Sequence, residues 1–184
     1  MSIKIDLKIF LFALIFLLTR QIEIYTLLMI FAFIHELGHL FTGIILGLKP
    51  ETISIIPTGF SISFKNDCDN YNKKIKNANK LALKKMIVAF AGPLTNIFTI
   101  ILTYFYNVIT KDLYFLNISL TLIIYANILI FIFNMLPIYP LDGGRIFKEI
   151  IHIFFGLKKS YYITNKVSNI VTIILTALAS IYIL

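Results

Sequence analysis

The stretch FIHELGHLFTG, residues 33 to 43, sets two histidines and a glutamate inside an otherwise apolar run from Ile22 to Gly47. That run is long enough to cross a bilayer core, which takes about 20 apolar helical residues. An ionisable side chain at that depth costs a few kcal/mol, so the three polar groups need partners that offset the cost.

On a helix, His35 and His39 are four residues apart and share one face a single turn apart. This is the spacing at which two imidazoles hold one Zn²⁺. Glu36 stands beside them, suited to act as a general base toward water at such a metal. With the His and Glu frequencies of this chain, an HExxH arises by chance roughly once in a thousand such sequences. A dication favours neutral imidazole ligands and offsets nearby carboxylate charge, so a metal site supplies the missing partner.

A catalytic zinc takes three protein ligands and keeps one open position. The candidate for the third is Asp142, in NMLPIYPLDGGRIF, residues 134 to 147. Pro137 and Pro140 stop the preceding helix, since each lacks an amide donor and biases the residue before it away from helix. Gly143 and Gly144 allow a tight change of direction, so Asp142 is expected on irregular backbone at membrane depth. Such backbone is tolerated only where protein buries it or a wet cavity borders it.

The remainder of the chain reads as membrane protein. Of 184 residues 59% are hydrophobic and only 14% charged, with a mean hydropathy of +0.88; an average soluble domain is about 25% charged. Apolar runs fall at about 3 to 19, 22 to 47, 82 to 109, 113 to 136 and 161 to 184, with a shorter one at 143 to 157. The expected fold is an all-α polytopic membrane protein of about six transmembrane helices, the 143 to 157 segment either crossing or re-entering. The first run resembles a signal peptide, but Arg20 and Gln21 replace the small-residue cleavage site, and it is read as an anchor helix. Residues 51 to 64, ETISIIPTGFSISF, alternate apolar and polar around Pro57-Thr58-Gly59, which predicts a β-hairpin between the second and third helices. The polar run after it, KNDCDNYNKKIKNANK, reads as a solvated loop or surface helix.

The net charge of +8 comes largely from lysines between Lys65 and Lys85, next to apolar spans. That placement fits a cytoplasmic loop obeying the positive-inside tendency and argues against a nucleic-acid partner. The bilayer is the expected partner surface. The single cysteine, Cys68, excludes an intrachain disulfide and is read as a loop residue without a role.

HELGH in an early span, AGPLTN at residues 91 to 96 and NMLPIYPLDGGR later, in that order, resemble the site-2 protease family of intramembrane zinc metalloproteases. The form of the last motif, the small size and the lack of an inserted PDZ domain are most similar to the stage IV sporulation FB-type branch. The resemblance covers about residues 22 to 157 as catalytic core of a single domain spanning 1 to 184. It implies one Zn²⁺ held by His35, His39 and Asp142, with Glu36 as catalytic acid/base, and cleavage of a peptide bond in or near a membrane-associated segment. Asn96 and Asn134 match asparagines expected to orient substrate or oxyanion, while Gly92 and Pro93 are read as helix packing and bending. The resemblance further implies a membrane-tethered transcription-factor precursor as substrate, inhibitory membrane-protein partners, and a bacterial cytoplasmic or forespore-surrounding membrane. The C-terminal CBS domain of some members is not expected, the chain ending with its last span at Leu184.

Two further features have plainer readings. Glu149 and His152 have the ExxH spacing of carboxylate di-iron bundles, but the second ExxH such sites need is missing. Arg145 has the chemistry to pair with a carboxylate or a lipid phosphate near the interface, and the plainer reading is a positive-inside anchor. The runner-up function is a pseudoprotease or membrane chaperone that binds helices without cutting them. An intramembrane metal transporter is weaker, because no internal repeat is visible.

Overall fold

A computed structural model describes residues 2–57, 59–64, 78–115 and 118–183. Cys68 and the polar run from Lys65 through Lys76 lie outside the described residues, as does Thr58 at the hairpin turn. The element order is β1 (Ser2–Ile5), α1 (Lys8–Leu18), α2 (Ile22–Ile45), β2 (Pro50–Ile56), β3 (Gly59–Phe64), α3 (Ala78–Thr110), β4 (Tyr114–Phe115), β5 (Ile118–Ser119), α4 (Leu120–Asn134), α5 (Asp142–Phe155) and α6 (Leu157–Ile183).

Three helices, Ile22–Ile45, Asn79–Thr110 and Leu157–Ile181, are long and apolar enough to cross a membrane. The other three are shorter: α1 has 11 residues, α4 15 and α5 14. At 1.5 Å per residue these are about 16 to 23 Å long, short of a hydrocarbon core of about 30 Å. The first apolar run is therefore not one spanning helix. Its opening residues, SIKI, alternate in the strand period and pair in parallel with β2, Ser2 opposite Thr52 and Ile5 opposite Ile55. The 113 to 136 run likewise opens with a short antiparallel ladder, Tyr114 opposite Ser119, before α4 begins.

The expected hairpin is present as β2 and β3, and β1 completes a three-stranded sheet in the order β1-β2-β3. It folds back along α2. Pro57, at its tip, accepts a hydrogen bond through its carbonyl from the Tyr25 hydroxyl at 3.1 Å, the Phe33 and Phe60 rings lie 5.0 Å apart, and Phe64 packs against Gly43. Strand pairing on both sides supplies hydrogen-bond partners along β2. The Lys84 ammonium donates to the Leu46 carbonyl at the end of α2, 2.6 Å away, a favourable cation at a helix C-terminus.

The helices expose many large apolar side chains and bury polar groups alongside small and apolar ones. On α3, Leu94, Phe98, Ile101, Leu102 and Phe105 are exposed, while Ala89, Ala91, Asn96 and Thr103 are buried. Small residues let neighbouring helices approach closely: a Cβ on Gly38 of α2 would meet Thr95 Cγ2 and the Ala91 carbonyl of α3. An apolar cluster of Leu27, Phe31, Leu120, Ile123, Ala126 and Ile130 joins α2 to α4. The inner α2–α3–α4 group and α5 packed on α3 frame the site.

Candidate metal centre

His35 and His39 lie on the face of α2 that packs against α3, and Asp142 is the first residue of α5. All three are buried, at 3%, 2% and 4% exposure. The Asp142 Oδ2 atom lies 2.9 Å from His35 Nε2 and 3.1 Å from His39 Nε2, and the two Nε2 atoms are 3.1 Å apart. Among the described residues this is the one group of three potential ligands that converge on a point.

The triangle fits a small tetrahedral ion. Bonds of about 2.0–2.1 Å at tetrahedral angles put ligand atoms about 3.3 Å apart, within a few tenths of an ångström of the separations here. Gly92 of α3 closes the cradle, since a Cβ at this position would meet His39 Nε2 and Cε1 and His35 Nε2. The AGPLTN motif thus does more than pack and bend a helix, because only glycine leaves room where the two imidazoles meet. Pro93 sits buried within the unbroken α3.

The outer ring nitrogens are also held. His39 Nδ1 donates to the Val88 carbonyl at 2.7 Å, and His35 Nδ1 lies 2.5 Å from Asn96 Oδ1. The amide nitrogen of Asn96 donates to Asn127 Oδ1 of α4 at 3.0 Å. Both ends of the Asn96 side chain are engaged within the protein, and it is 1% exposed. Sequence reading missed Asn127, although a lone asparagine in the apolar IIYANIL of α4 carries the same signal of costly polarity at membrane depth that singled out HELGH.

Asp142 reaches the histidines differently from the sequence expectation. It opens a regular helix rather than sitting on irregular backbone, with its carboxylate at the favourable N-terminal turn. The glycines after it serve close approach: a Cβ on Gly143 would strike the Met135 and Leu136 carbonyls, and one on Gly144 the Ile138 carbonyl. The preceding loop is tied to α6, where the Ser168 hydroxyl oxygen accepts the Tyr139 N–H at 2.8 Å. Support for Asp142 therefore comes from beyond residue 157, outside the span that the motifs cover.

A cavity of about 280 Å³ opens against the centre, lined among others by Glu36, Asn134, Arg145, Phe60 and Ser61. At about 30 Å³ per molecule it has room for several waters and polar groups to hold them. Glu36 faces it beside His35. The Asn134 amide donates to the Ile130 carbonyl at 3.0 Å. Arg145 lines this cavity, with Nη1 3.8 Å from Asp142 Oδ1, instead of serving only as an interface anchor. Glu149 and His152 pair with each other at 3.3 Å and take no part in the cluster.

A model of peptidase family M50 matches residues 23–117 and 112–179. The chain belongs to peptidase family M50, the site-2 protease family, and with its three apolar helices it is a membrane protein. It is 28% identical over 156 residues to zinc metalloprotease MJ0392 of Methanocaldococcus jannaschii, a match covering 83% of this chain and 41% of that protein. It is 25% identical over 130 residues to stage IV sporulation protein FB of Bacillus subtilis, covering 71% of this chain and 41% of that protein. The chain thus spans about two-fifths of the length of these curated relatives. Its fold is that of the site-2 protease from Methanocaldococcus jannaschii, with a TM-score of 0.70 at 24% identity over 98% of this chain and 82% of that one.

Proposed function

We propose that this protein is an intramembrane zinc metalloprotease that hydrolyses a peptide bond in or near a membrane-associated segment of another protein. The observation that carries the reading is the convergence of His35, His39 and Asp142 beside a cavity that His35, Asp142 and Glu36 line. In this reading the histidines ligate through Nε2 and the aspartate through Oδ2. Zinc bound there supplies a Lewis acid that acidifies water and polarises a carbonyl.

The chain's own residues do the rest. Glu36 takes the proton of the attacking water and delivers it to the departing amine nitrogen, so no proton crosses lipid. Arg145 engages the Asp142 oxygen turned away from the histidines, leaving Oδ2 for ligation. Asn96 orients His35, while Asn134, on the cavity wall, contacts the substrate backbone. A substrate helix hides its peptide bonds in its own hydrogen-bond ladder and must unwind before attack. The edge of β3, unpaired among the described residues, receives the unwound segment as an added strand, passing Phe60 and Ser61 on its way to Glu36. Six helices sit in the membrane, with α2, α3 and α6 crossing at full length and α1, α4 and α5 as shorter members.

The test is zinc analysis together with cleavage of a panel of membrane-associated proteins by wild type and Glu36→Gln. The likeness to stage IV sporulation protein FB makes a membrane-tethered sporulation precursor one member of that panel. About one zinc in each protein and cutting by wild type alone is the expected result. Zinc in both and cutting by neither across a broad panel points instead to a binding-only protein, and no zinc in wild type removes the ligand assignment.

A further inference from the structure

A histidine ligand offers a lone pair at one ring nitrogen only when the proton sits on the other. Both Nε2 atoms face the convergence point, beside the Asp142 carboxylate, and for both to ligate a metal there the ring proton of each histidine must sit on Nδ1. At His39 the main chain ensures this directly, because the Val88 carbonyl accepts and cannot donate. At His35 the neighbour is a carboxamide, which presents either an acceptor oxygen or a donor nitrogen depending on how it is turned. With the nitrogen turned inward, it would donate to Nδ1, and the ring proton would move to Nε2, where the metal belongs.

The direction is fixed two residues further on. Asn127 Nδ2 donates to the Ile123 carbonyl at 2.9 Å, one turn back on α4. That carbonyl only accepts, so Asn127 must turn its nitrogen toward it and its oxygen toward Asn96. Asn96 must then donate through Nδ2 and turn its own oxygen toward His35. Asn96 and Asn127 are each 1% exposed, so no water stands in for a wrongly turned end. Inverting either amide would bring two oxygens face to face away from solvent.

We propose that Asn127 is a positioning residue: anchored on the Ile123 carbonyl, it sets the direction of the Asn96 carboxamide and thereby holds His35 in the Nδ1–H tautomer that leaves Nε2 free for the metal. The polarity of one main-chain carbonyl on α4 is thus transmitted through two side chains to a ligand on α2. The consequence for metal rests on the function proposed above, whereas the proton on His35 Nδ1 does not.

The chain has three histidines, so ring-labelled ¹⁵N-histidine protein in detergent gives a small set of signals that His152→Gln and His39→Gln variants assign. In metal-free wild type, His35 is expected to carry a proton on Nδ1, whether or not Nε2, 2.9 Å from the Asp142 carboxylate, is protonated as well. In Asn127→Leu that preference is lost at His35 and kept at His39, and zinc affinity measured by chelator competition falls about tenfold to a hundredfold. Asn96→Asp turns only oxygens toward Nδ1, so in that background adding Asn127→Leu leaves zinc affinity unchanged. An equal loss in both backgrounds means Asn127 acts by packing alone and overturns the proposal, as does a wild-type tautomer in Asn127→Leu.

If Asn127→Leu does not fold, Asn127→Thr and Asn127→Val decide between the readings. They share a shape, and the threonine hydroxyl can accept from Asn96 while donating to the carbonyl four residues back, as Thr99 and Thr103 do on α3. Threonine retaining the Nδ1–H form and valine losing it is expected, and identical behaviour overturns the proposal. If wild type takes up no zinc, the protease reading fails while the ring signals still decide the relay.

Discussion

Glu36, Asp142 and Gly92 each meet the same point in a different way, and their substitutions separate accordingly. Glu36 faces the cavity and is not among the converging ligand atoms. Glu36→Gln should therefore keep about one zinc per chain and cut at least about a hundredfold more slowly, the low end of what a positioned acid/base contributes. Asp142→Ala removes a ligand and should leave zinc content well below that of wild type by elemental analysis. Gly92→Ala is the sharper case, because alanine is the better helix former by about 1 kcal/mol. Loss of zinc from Gly92→Ala with α3 intact by circular dichroism would show that the empty space beside the two rings is itself a requirement. Retention of full zinc content would mean the rings can yield.

At the scale of the element, two devices bring chain segments close to the histidines. The first is the sheet, which lies along α2 through Gly43 and Phe64 and presents β3 to the cavity. Ser61→Pro, which removes an amide and stiffens that edge, should slow turnover of a protein substrate while zinc content stays at the wild-type level. Unchanged turnover would count against strand docking and leave the sheet as a cap on the catalytic helices. The second device is the glycine pair that opens α5. Gly144→Ala pushes a methyl into the Ile138 carbonyl, and overpacking of this kind costs about 1–3 kcal/mol. The loop and Asp142 would shift together, so thermal stability and zinc affinity should fall in the same variant.

For the whole molecule, the proposed ligands come from α2 and α5, which α3 and α4 separate in the chain and α3 joins in space. An ion there ties distant parts of the sequence, so it should stabilise the folded state. Free zinc at a hundredfold its Kd is expected to add about 2.7 kcal/mol, read as a rise in unfolding temperature that a chelator reverses. The same rise in Asp142→Ala would place the effect elsewhere.

What the sequence by itself determined was the chemistry of the centre and its cost. HELGH carries its geometry locally, since helical spacing alone sets His35 over His39, and an acid in an apolar run announces a partner whatever the fold. The hairpin was equally legible, because period-two alternation around a turn is a local signal. Tertiary structure decided what depends on contacts between segments. SIKI became a strand because β2 was there to pair with it, and Arg145 entered the cavity because α5 was aimed there. Gly143 and Gly144 proved to be places where backbone meets backbone at the start of a helix rather than a tight change of direction. The direction of the Asn96 amide depends on a carbonyl of another helix. Spacing along one chain reports which side chains share a face, but whether a polar group is satisfied is a property of the groups that packing brings to it from elsewhere.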